Sequence, residues 1–253
     1  MTAPTQRRRL DVVLVERGLA PSRERAQALI AAGLVQMGEE KARSAAQAVS
    51  PATRLAVLGR DREYASRAGV KLAHGLDAFE VPVEGRVALD AGASTGGFTD
   101  VLLRRGAALV YAVDVGYGQL DGRVARDPRV RVLDRTNLRG LRAVPGPPPA
   151  LVTLDLSFIS LRLVLATVGA IAEPGADVVA LFKPQFELGR GAVGRGGIVR
   201  DAAAGEAGAR RLMQWAQTEL GVEAAGPVAS PIAGTRGNRE WLVHLRLPVG
   251  TQP

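Results

Sequence analysis

Val87-Ala88-Leu89-Asp90-Ala91-Gly92-Ala93-Ser94-Thr95-Gly96-Gly97-Phe98 runs from an apolar strand through a turn of small residues into a helix. Glycines let backbone N–H groups approach a ligand closely, and the helix start offers partial positive charge. Three kinds of site share this pattern. A dinucleotide fingerprint requires Gly-x-Gly-x-x-Gly, and Ser94 stands at its second glycine. Gly92-x-Ser94-x-Gly96 imitates a hydrolase nucleophile elbow, which requires a histidine base on a loop. The chain has only His74 and His244, and His244 falls inside a predicted strand. The third site is that of S-adenosylmethionine, marked by an acid just before the glycine turn, here Asp90-x-Gly92. Asp114 then ends the second strand, 22 residues after Gly92, placed for ribose hydroxyls. Asp134 ends the third strand, where the adenine edge is held. Three acids at the carboxyl ends of consecutive parallel strands face one crevice. Cofactor contacts are therefore expected from Asp90, Gly92, Ala93, Ser94, Thr95, Gly96, Gly97, Phe98, Asp114, Val115 and Asp134.

The surrounding pattern supports a sheet covered on both faces. A helix is predicted over 67–79, strands near 87–91, 109–114, 130–133, 150–155 and 177–183, and helices near 98–106, 160–172 and 203–220. Val222 to Val228 and Trp241 to Leu247 have no helix between them, so an antiparallel pair closes one edge. The fold class is α/β: a class I, Rossmann-like, S-adenosylmethionine-dependent methyltransferase sheet. The Gly/Arg-rich stretch over 184–200 reads as a loop, with Gly189 to Arg200 a mobile lid.

The N-terminal stretch has another rhythm. Residues 9–17 and 23–32 read as short helices, with Ser22 as an N-cap and Gly33 as a stop. Leu34 to Met37 and Arg54 to Leu58 read as strands. Arg9-Leu10-Asp11…Leu14 and Ser22-Arg23…Ala26…Leu29-Ile30…Gly33 resemble the small RNA-binding module of ribosomal protein S4, although Gly38-Glu39-Glu40 departs from its usual Asp-Gly turn. The expected organisation is a small α+β RNA-binding domain over 1–59, a linker over 60–66 and the methyltransferase domain over 67–253. Arg7, Arg8, Arg9, Arg23 and Arg25 are the expected RNA contacts.

Charge agrees with a polyanionic partner. The net charge is +8. Residues 1–66 hold 11 basic and 7 acidic side chains and residues 67–253 hold 22 and 18, so positive charge is denser at the N-terminus. The absence of cysteine excludes disulfides and thiolate chemistry, and no metal partner is expected. No apolar run approaches the roughly 18 residues of a membrane span. Leu10-Asp11 and Glu16-Arg17 place charges where a signal peptide needs apolar residues. A cytoplasmic protein with no membrane partner is expected.

The acceptor follows partly by elimination. The fourth strand ends Leu154-Asp155-Leu156-Ser157-Phe158, without the prolines of enzymes that methylate exocyclic amines. Pyrimidine carbon-five methylation attacks through cysteine, which is absent. A hydroxyl remains, and a ribose 2′-hydroxyl needs a base or a strong field. Of 33 basic residues only Lys41, Lys71 and Lys183 are lysine, so each needs a reason. Lys71 precedes the first strand, Lys183 ends the fifth, Asp155 ends the fourth and Glu240 opens the last. These are the expected catalytic residues: two ammonium groups together depress each other, and the acids orient and balance them.

Ser66-Arg67…Lys71-Leu72, Asp90 through Thr99, Asp114-Val115-Gly116-Tyr117-Gly118, Asp155-Leu156-Ser157-Phe158-Ile159-Ser160 and Lys183-Pro184-Gln185-Phe186-Glu187 together resemble the TlyA family, called hemolysin A in many genomes. That family joins the RNA-binding module to an FtsJ-like 2′-O-methyltransferase domain, and its Lys-Asp-Lys-Glu tetrad falls on Lys71, Asp155, Lys183 and Glu240. The resemblance implies a cytidine of ribosomal RNA, in the ribosomal subunit, as acceptor. Because the chain stops soon after Leu247, large-subunit (23S) RNA is expected over 16S. The alternatives are a non-catalytic ribosome- or RNA-binding factor and an indirect hemolysin.

Overall fold

The computed structural model describes residues 7–20, 22–57, 64–199 and 201–250. Two compact units divide the chain, one within residues 1–62 and one within 63–253. Residues 60–63 of the expected linker lie outside the described residues. Tyr64 and Ala65 pack with the core of the larger unit, and the Ala65 amide donates to Asp100 Oδ2 at 2.7 Å.

The smaller unit comprises β1 (Arg8–Arg9), α1 (Leu10–Glu16), α2 (Arg23–Ala31), β2 (Val35–Met37), β3 (Glu40–Lys41), β4 (Ala48–Val49) and β5 (Leu55–Val57). Leu10, Val13 and Leu14 form one face of α1 and pack on Ala26 and Ile30 of α2 and on Val35. Ser22 Oγ accepts from the Arg25 amide, and Gly33 takes a positive φ of 66° just beyond α2, so both expected helix boundaries have their chemistry. The strands β3, β2 and β5 form a small antiparallel sheet, and β1 pairs with β4. The strands β1, β3 and β4 were not expected. Two residues are too few for an alternating pattern to register.

The larger unit contains α3 (Ala68–Ala78), β6 (Val87–Ala91), α4 (Gly97–Arg104), β7 (Leu109–Val113), α5 (Gly122–Ala125) and β8 (Val130–Leu133). The chain continues through β9 (Leu151–Leu154), α6 (Arg162–Ile171), β10 (Asp177–Phe182), α7 (Pro184–Glu187), α8 (Ala202–Leu220), β11 (Glu223–Ala229) and β12 (Trp241–Arg246). Seven strands lie in the order β11-β12-β10-β9-β6-β7-β8. The strands β8, β7, β6, β9 and β10 are parallel, and β12 runs antiparallel to both β10 and β11. All six residues of β10 are buried, as befits a strand covered on both faces. One face is covered by α3, α4 and α5 through Leu72, Leu76, Phe98, Val101, Leu102 and Val124. The other is covered by α6 and α8 through Val164, Leu165, Val168, Leu212 and Ala216. Gly97 belongs to this packing: a Cβ there would lie 3.0 Å from the Gly69 amide nitrogen and closer still to Ser66 Oγ. Its lack of a side chain lets α4 approach the start of α3.

The smaller unit is organised around a fully buried acid, Asp11. Its carboxylate accepts two hydrogen bonds from Arg9 at 3.0 Å, one from Gln27 at 3.0 Å and one from Arg23 at 3.1 Å. The Arg9 guanidinium is the foremost of the partners that hold its carboxyl well below the usual carboxylate range, against the effect of burial. A depressed acid contributes stability above its unfolded value, near pH 4, that is lost as pH falls further. Hydrogen exchange of amides in α1 and α2 should therefore stay slow down to about pH 4 and accelerate below it. With its arginine partners half exposed, Asp11→Asn should cost about 1–2 kcal/mol at neutral pH and remove that acid dependence.

Candidate active site

The winding of the sheet reverses between β6 and β9, where the chain leaves in opposite directions. Ligands of such sheets bind at the carboxyl ends of the strands at that point. A cavity of about 840 Å³ opens there. Gly92 and Ser94 after β6, Asp114 and Val115 after β7, Thr136 and Asn137 after β8, and Asp155 to Ser160 after β9 line it.

The glycine turn is held by the neighbouring strands. Gly92 has φ of 82°, and a Cβ there would lie 2.5 Å from the Asp155 carbonyl oxygen, so the turn tolerates no side chain. Asp114 Oδ2 accepts the Ser94 amide at 2.8 Å and its Oδ1 accepts the Gly116 amide at 2.7 Å, which locks the first and second strand ends together. Of the expected cofactor residues, Gly92, Ser94, Asp114 and Val115 reach the cavity, whereas Asp90, Ala93, Thr95, Gly96, Gly97, Phe98 and Asp134 do not line it. Phe98 is core. Asp134 Oδ2 accepts the Gly118 amide at 2.9 Å, and Thr136 and Asn137 reach the cavity in its place.

Asp90 lies under the turn, fully buried. Thr99 Oγ1 donates to it at 2.6 Å and Thr153 Oγ1 at 3.1 Å. Burial pushes its carboxyl up to about 7 in spite of those bonds, and Asp155 adds to the rise.

The four expected catalytic residues form two ion pairs. Lys71 Nζ in α3 meets Glu240 Oε2 at 2.5 Å, with both side chains buried. Lys183 Nζ meets Asp155 Oδ1 at 2.6 Å and donates to Ser157 Oγ at 3.0 Å. The Lys183–Asp155 contact is an ion pair outside hydrogen-bond geometry, so Oδ1 accepts no hydrogen bond among the described residues. Strand register brings the pairs together. Phe182 stands opposite Trp241 in β10 and β12, so Lys183 and Glu240 emerge at the same sheet end, and Asp155 follows the adjacent β9. Each ammonium has a carboxylate partner of its own, where the sequence had suggested two ammoniums acting on each other.

Glu240 is enclosed by its own loop: a Cβ on Gly234 would overlap its carboxylate, and Arg67, one turn before Lys71, donates to the Ala233 carbonyl. Part of the expected lid is pinned to the same loop. Buried Asn238 accepts the Val199 amide and donates to the Gly197 carbonyl. Arg200 lies outside the described residues.

His244 lies in β12 and bonds Asp177 at 2.8 Å, at the end of β10 opposite Lys183, so it is no partner for Ser94. In the smaller unit Arg7 and Arg25 are exposed, Arg8 pairs with Glu16, and Arg9 and Arg23 are half exposed while bonded to Asp11. Sequence reasoning missed Asn137, Arg139, Leu163 and Phe186 in the cavity wall. Polar residues directly after the third strand were the available signal for Asn137. Leu163 carries no local mark, whereas Phe186 stands in the Lys183–Glu187 motif of the family resemblance without having been assigned to the cavity.

An acid with a raised folded value contributes stability below its unfolded value that is lost as pH rises. For Asp90 that window runs from near pH 4 to about 7. Denaturant unfolding at several pH values should show wild type losing up to roughly 4 kcal/mol relative to Asp90→Asn across this window. A constant difference between the two proteins would contradict the buried, proton-holding acid.

Comparison with known proteins agrees with this geometry. The family model described as FtsJ-like methyltransferase matches residues 64–247, and the S4 domain matches residues 8–55. The 16S/23S rRNA (cytidine-2'-O)-methyltransferase TlyA of Mycobacterium tuberculosis is 50% identical over 244 residues, 95% of this chain and 90% of that protein. The 23S rRNA (cytidine-2'-O)-methyltransferase TlyA of Campylobacter jejuni is 32% identical over 72% of this chain and 70% of its own length. A solved structure of a candidate hemolysin from Streptococcus thermophilus superposes with a TM-score of 0.73 at 38% identity, covering 98% of this chain and 91% of the other. With an FtsJ-like domain over most of its length, an S4 domain before it and a paired Lys-Asp-Lys-Glu set at the sheet's carboxyl end, the chain belongs to the TlyA family of FtsJ-like methyltransferases.

Proposed function

We propose that this protein transfers a methyl group from S-adenosylmethionine to the 2′-hydroxyl of a cytidine ribose in ribosomal RNA, with 23S RNA the principal substrate. The observation that carries the reading is the Lys183–Asp155 pair, whose acid lines the cavity, beside the buried Lys71–Glu240 pair. The names of the two TlyA relatives share the cytidine 2′-hydroxyl and 23S RNA, which supports that acceptor. The reaction belongs in the cytoplasm, with the ribosome.

The residues present fit the cofactor. Val115 and Phe158 are 71% and 85% exposed, apolar surfaces left facing the cavity, beside the polar Ser94, Asp114 and Asn137. A cavity lined mostly by apolar groups with a few placed polar ones suits a nucleoside. Asp114 would take the ribose diol, Val115 and Phe158 the adenine ring, and the backbone at Gly92–Ser94 the amino-acid end. Bound S-adenosylmethionine supplies an electrophilic methyl group.

The protein's own part is to orient the hydroxyl and accept its proton. A 2′-hydroxyl is a weak nucleophile, and a positioned base lowers the barrier as the methyl transfers in line. Lys183 Nζ accepts that proton as the neutral amine, having passed one of its own to the Asp155 carboxylate 2.6 Å away, and Ser157 aims it. Lys71 and Glu240, ion-paired and buried, hold the acceptor's surroundings in place and exclude water. In the smaller unit the arginines Arg7, Arg8, Arg9, Arg23 and Arg25 bind the RNA backbone and bring the nucleotide to the cavity.

Labelled methyl transfer to purified large and small ribosomal subunits, tested separately, checks the reading. Label should enter large-subunit RNA and fall by at least about 100-fold in Lys183→Ala with cofactor binding retained. Label confined to the small subunit would overturn the 23S assignment. No label on either subunit would leave an RNA-binding factor that does not catalyse.

A further inference from the structure

The segment 155–161, which forms one wall of the cavity, is joined along its length to the segment 183–187 that follows β10. At the first end Lys183 meets Asp155 and Ser157. In the middle the Phe158 and Phe186 rings lie 4.9 Å apart. At the far end Glu187 Oε2 accepts from Ser160 Oγ and Oε1 accepts from the Leu161 amide, both at 2.7 Å. The first two contacts belong to the catalytic pair and the cavity mouth, whereas Glu187 does not line the cavity and has no part in the chemistry above.

Its location explains what it does. At the start of α6 Ser160 Oγ accepts the Arg162 amide at 3.3 Å, and both Ser160 Oγ and the Leu161 amide in turn donate to Glu187, contributed from 26 residues further along the chain. A carboxylate there satisfies the Leu161 donor, holds the hydroxyl that caps the Arg162 amide and meets the positive end of the helix dipole. The wall segment also needs an external anchor, because Phe158 has φ of 64°, a left-handed conformation unfavourable for an aromatic residue. Such a conformation persists only where the surroundings over-determine it.

We infer that Glu187 is a positioning residue for methyl transfer: by capping α6 at Ser160 and Leu161 it fixes the 155–161 wall, and with it Ser157 and Asp155, against Lys183. The inference rests on the methyltransferase reading of this site. Burial raises the Glu187 carboxyl above its usual value, consistent with an acid enclosed between two segments.

A glutamine can replace both hydrogen bonds, since its oxygen accepts from Leu161 and its amide donates to Ser160 Oγ. The test is single-turnover methyl transfer to large ribosomal subunits by the full chain, with S-adenosylmethionine affinity and binding stoichiometry measured alongside. Single-turnover rates and stoichiometry separate a slower site from a smaller folded fraction. Glu187→Ala should slow the step tenfold or more and weaken S-adenosylmethionine binding at unchanged stoichiometry. Glu187→Gln should remain within threefold of wild type in both. Ser160→Ala should fall between them and add little to Glu187→Ala. A Gln variant as slow as the Ala variant would overturn the inference in favour of a role for the charge itself, and an Ala variant at wild-type rate would overturn it outright. If wild type labels no ribosomal RNA, the reading of function fails. The affinity comparison then decides the role of Glu187 by itself: weakened binding in the Ala variant alone upholds the anchored wall, and equal binding in all three proteins rejects it.

Discussion

Strands β6 and β9 are direct parallel neighbours although some 60 residues separate them in the chain, and the site depends on that pairing. The Asp155 amide donates to the Ala91 carbonyl at 3.0 Å, so the end of one strand is joined to the end of the other. Gly92 then lies so close to the Asp155 carbonyl that any side chain would collide with it. The glycine turn and Asp155 are thus one piece of backbone geometry. Everything added at that sheet end, from Asp114 on one side to Lys183 and Glu240 on the other, takes its position from this junction.

The two ends of the sheet treat buried charge differently. At the amino ends of the parallel strands Asp177 sits between Arg86 Nη1 at 2.7 Å and His244 Nε2 at 2.8 Å. Burial works to raise its carboxyl, but His244 and Arg86 together outweigh it and hold the group below the usual range. This cluster ties β10 and β12 to the segment before β6 and opens onto no catalytic group. At the carboxyl ends the charges are lysine–carboxylate pairs, one of which lines the cavity through Asp155, and Asp90 beneath them accepts from the hydroxyls of Thr99 and Thr153. Breaking a buried pair leaves a lone charge at a cost of several kcal/mol, so the pairs keep their geometry while remaining next to solvent.

Much of the fold was legible because burial leaves periodic marks. Strands such as β9 and β10, covered on both faces, read as continuous apolar runs, and α8 announces itself by Asp201 at its start and Gly221 at its end. The four residues expected to be catalytic were singled out for a different reason. In a chain that uses arginine almost everywhere, Lys71 and Lys183 stand out as residue types, and Asp155 and Glu240 stand at strand ends where the apolar runs stop. The cofactor motif was legible as a segment but not residue by residue. Asp90 and Phe98 point into the core and Asp134 caps a loop, because side-chain direction at a turn depends on the backbone angles of that turn. Two-residue strands such as β1 and β4 left no pattern at all.

Local sequence therefore determined the longer elements, their order and the antiparallel closing pair, since helix caps and apolar periodicity are properties of short stretches. It could not determine which carboxylate each lysine would take. Lys71 and Glu240 are 169 residues apart, and only the register that sets Phe182 opposite Trp241 puts Glu240 at the sheet end where Lys183 emerges. Nor could it show that Asp11 gathers Arg9, Gln27 and Arg23, or that Glu187 caps a helix that begins 25 residues before it. Such contacts arise only when separate stretches pack side by side. Their distances, and so their chemistry, belong to the tertiary structure.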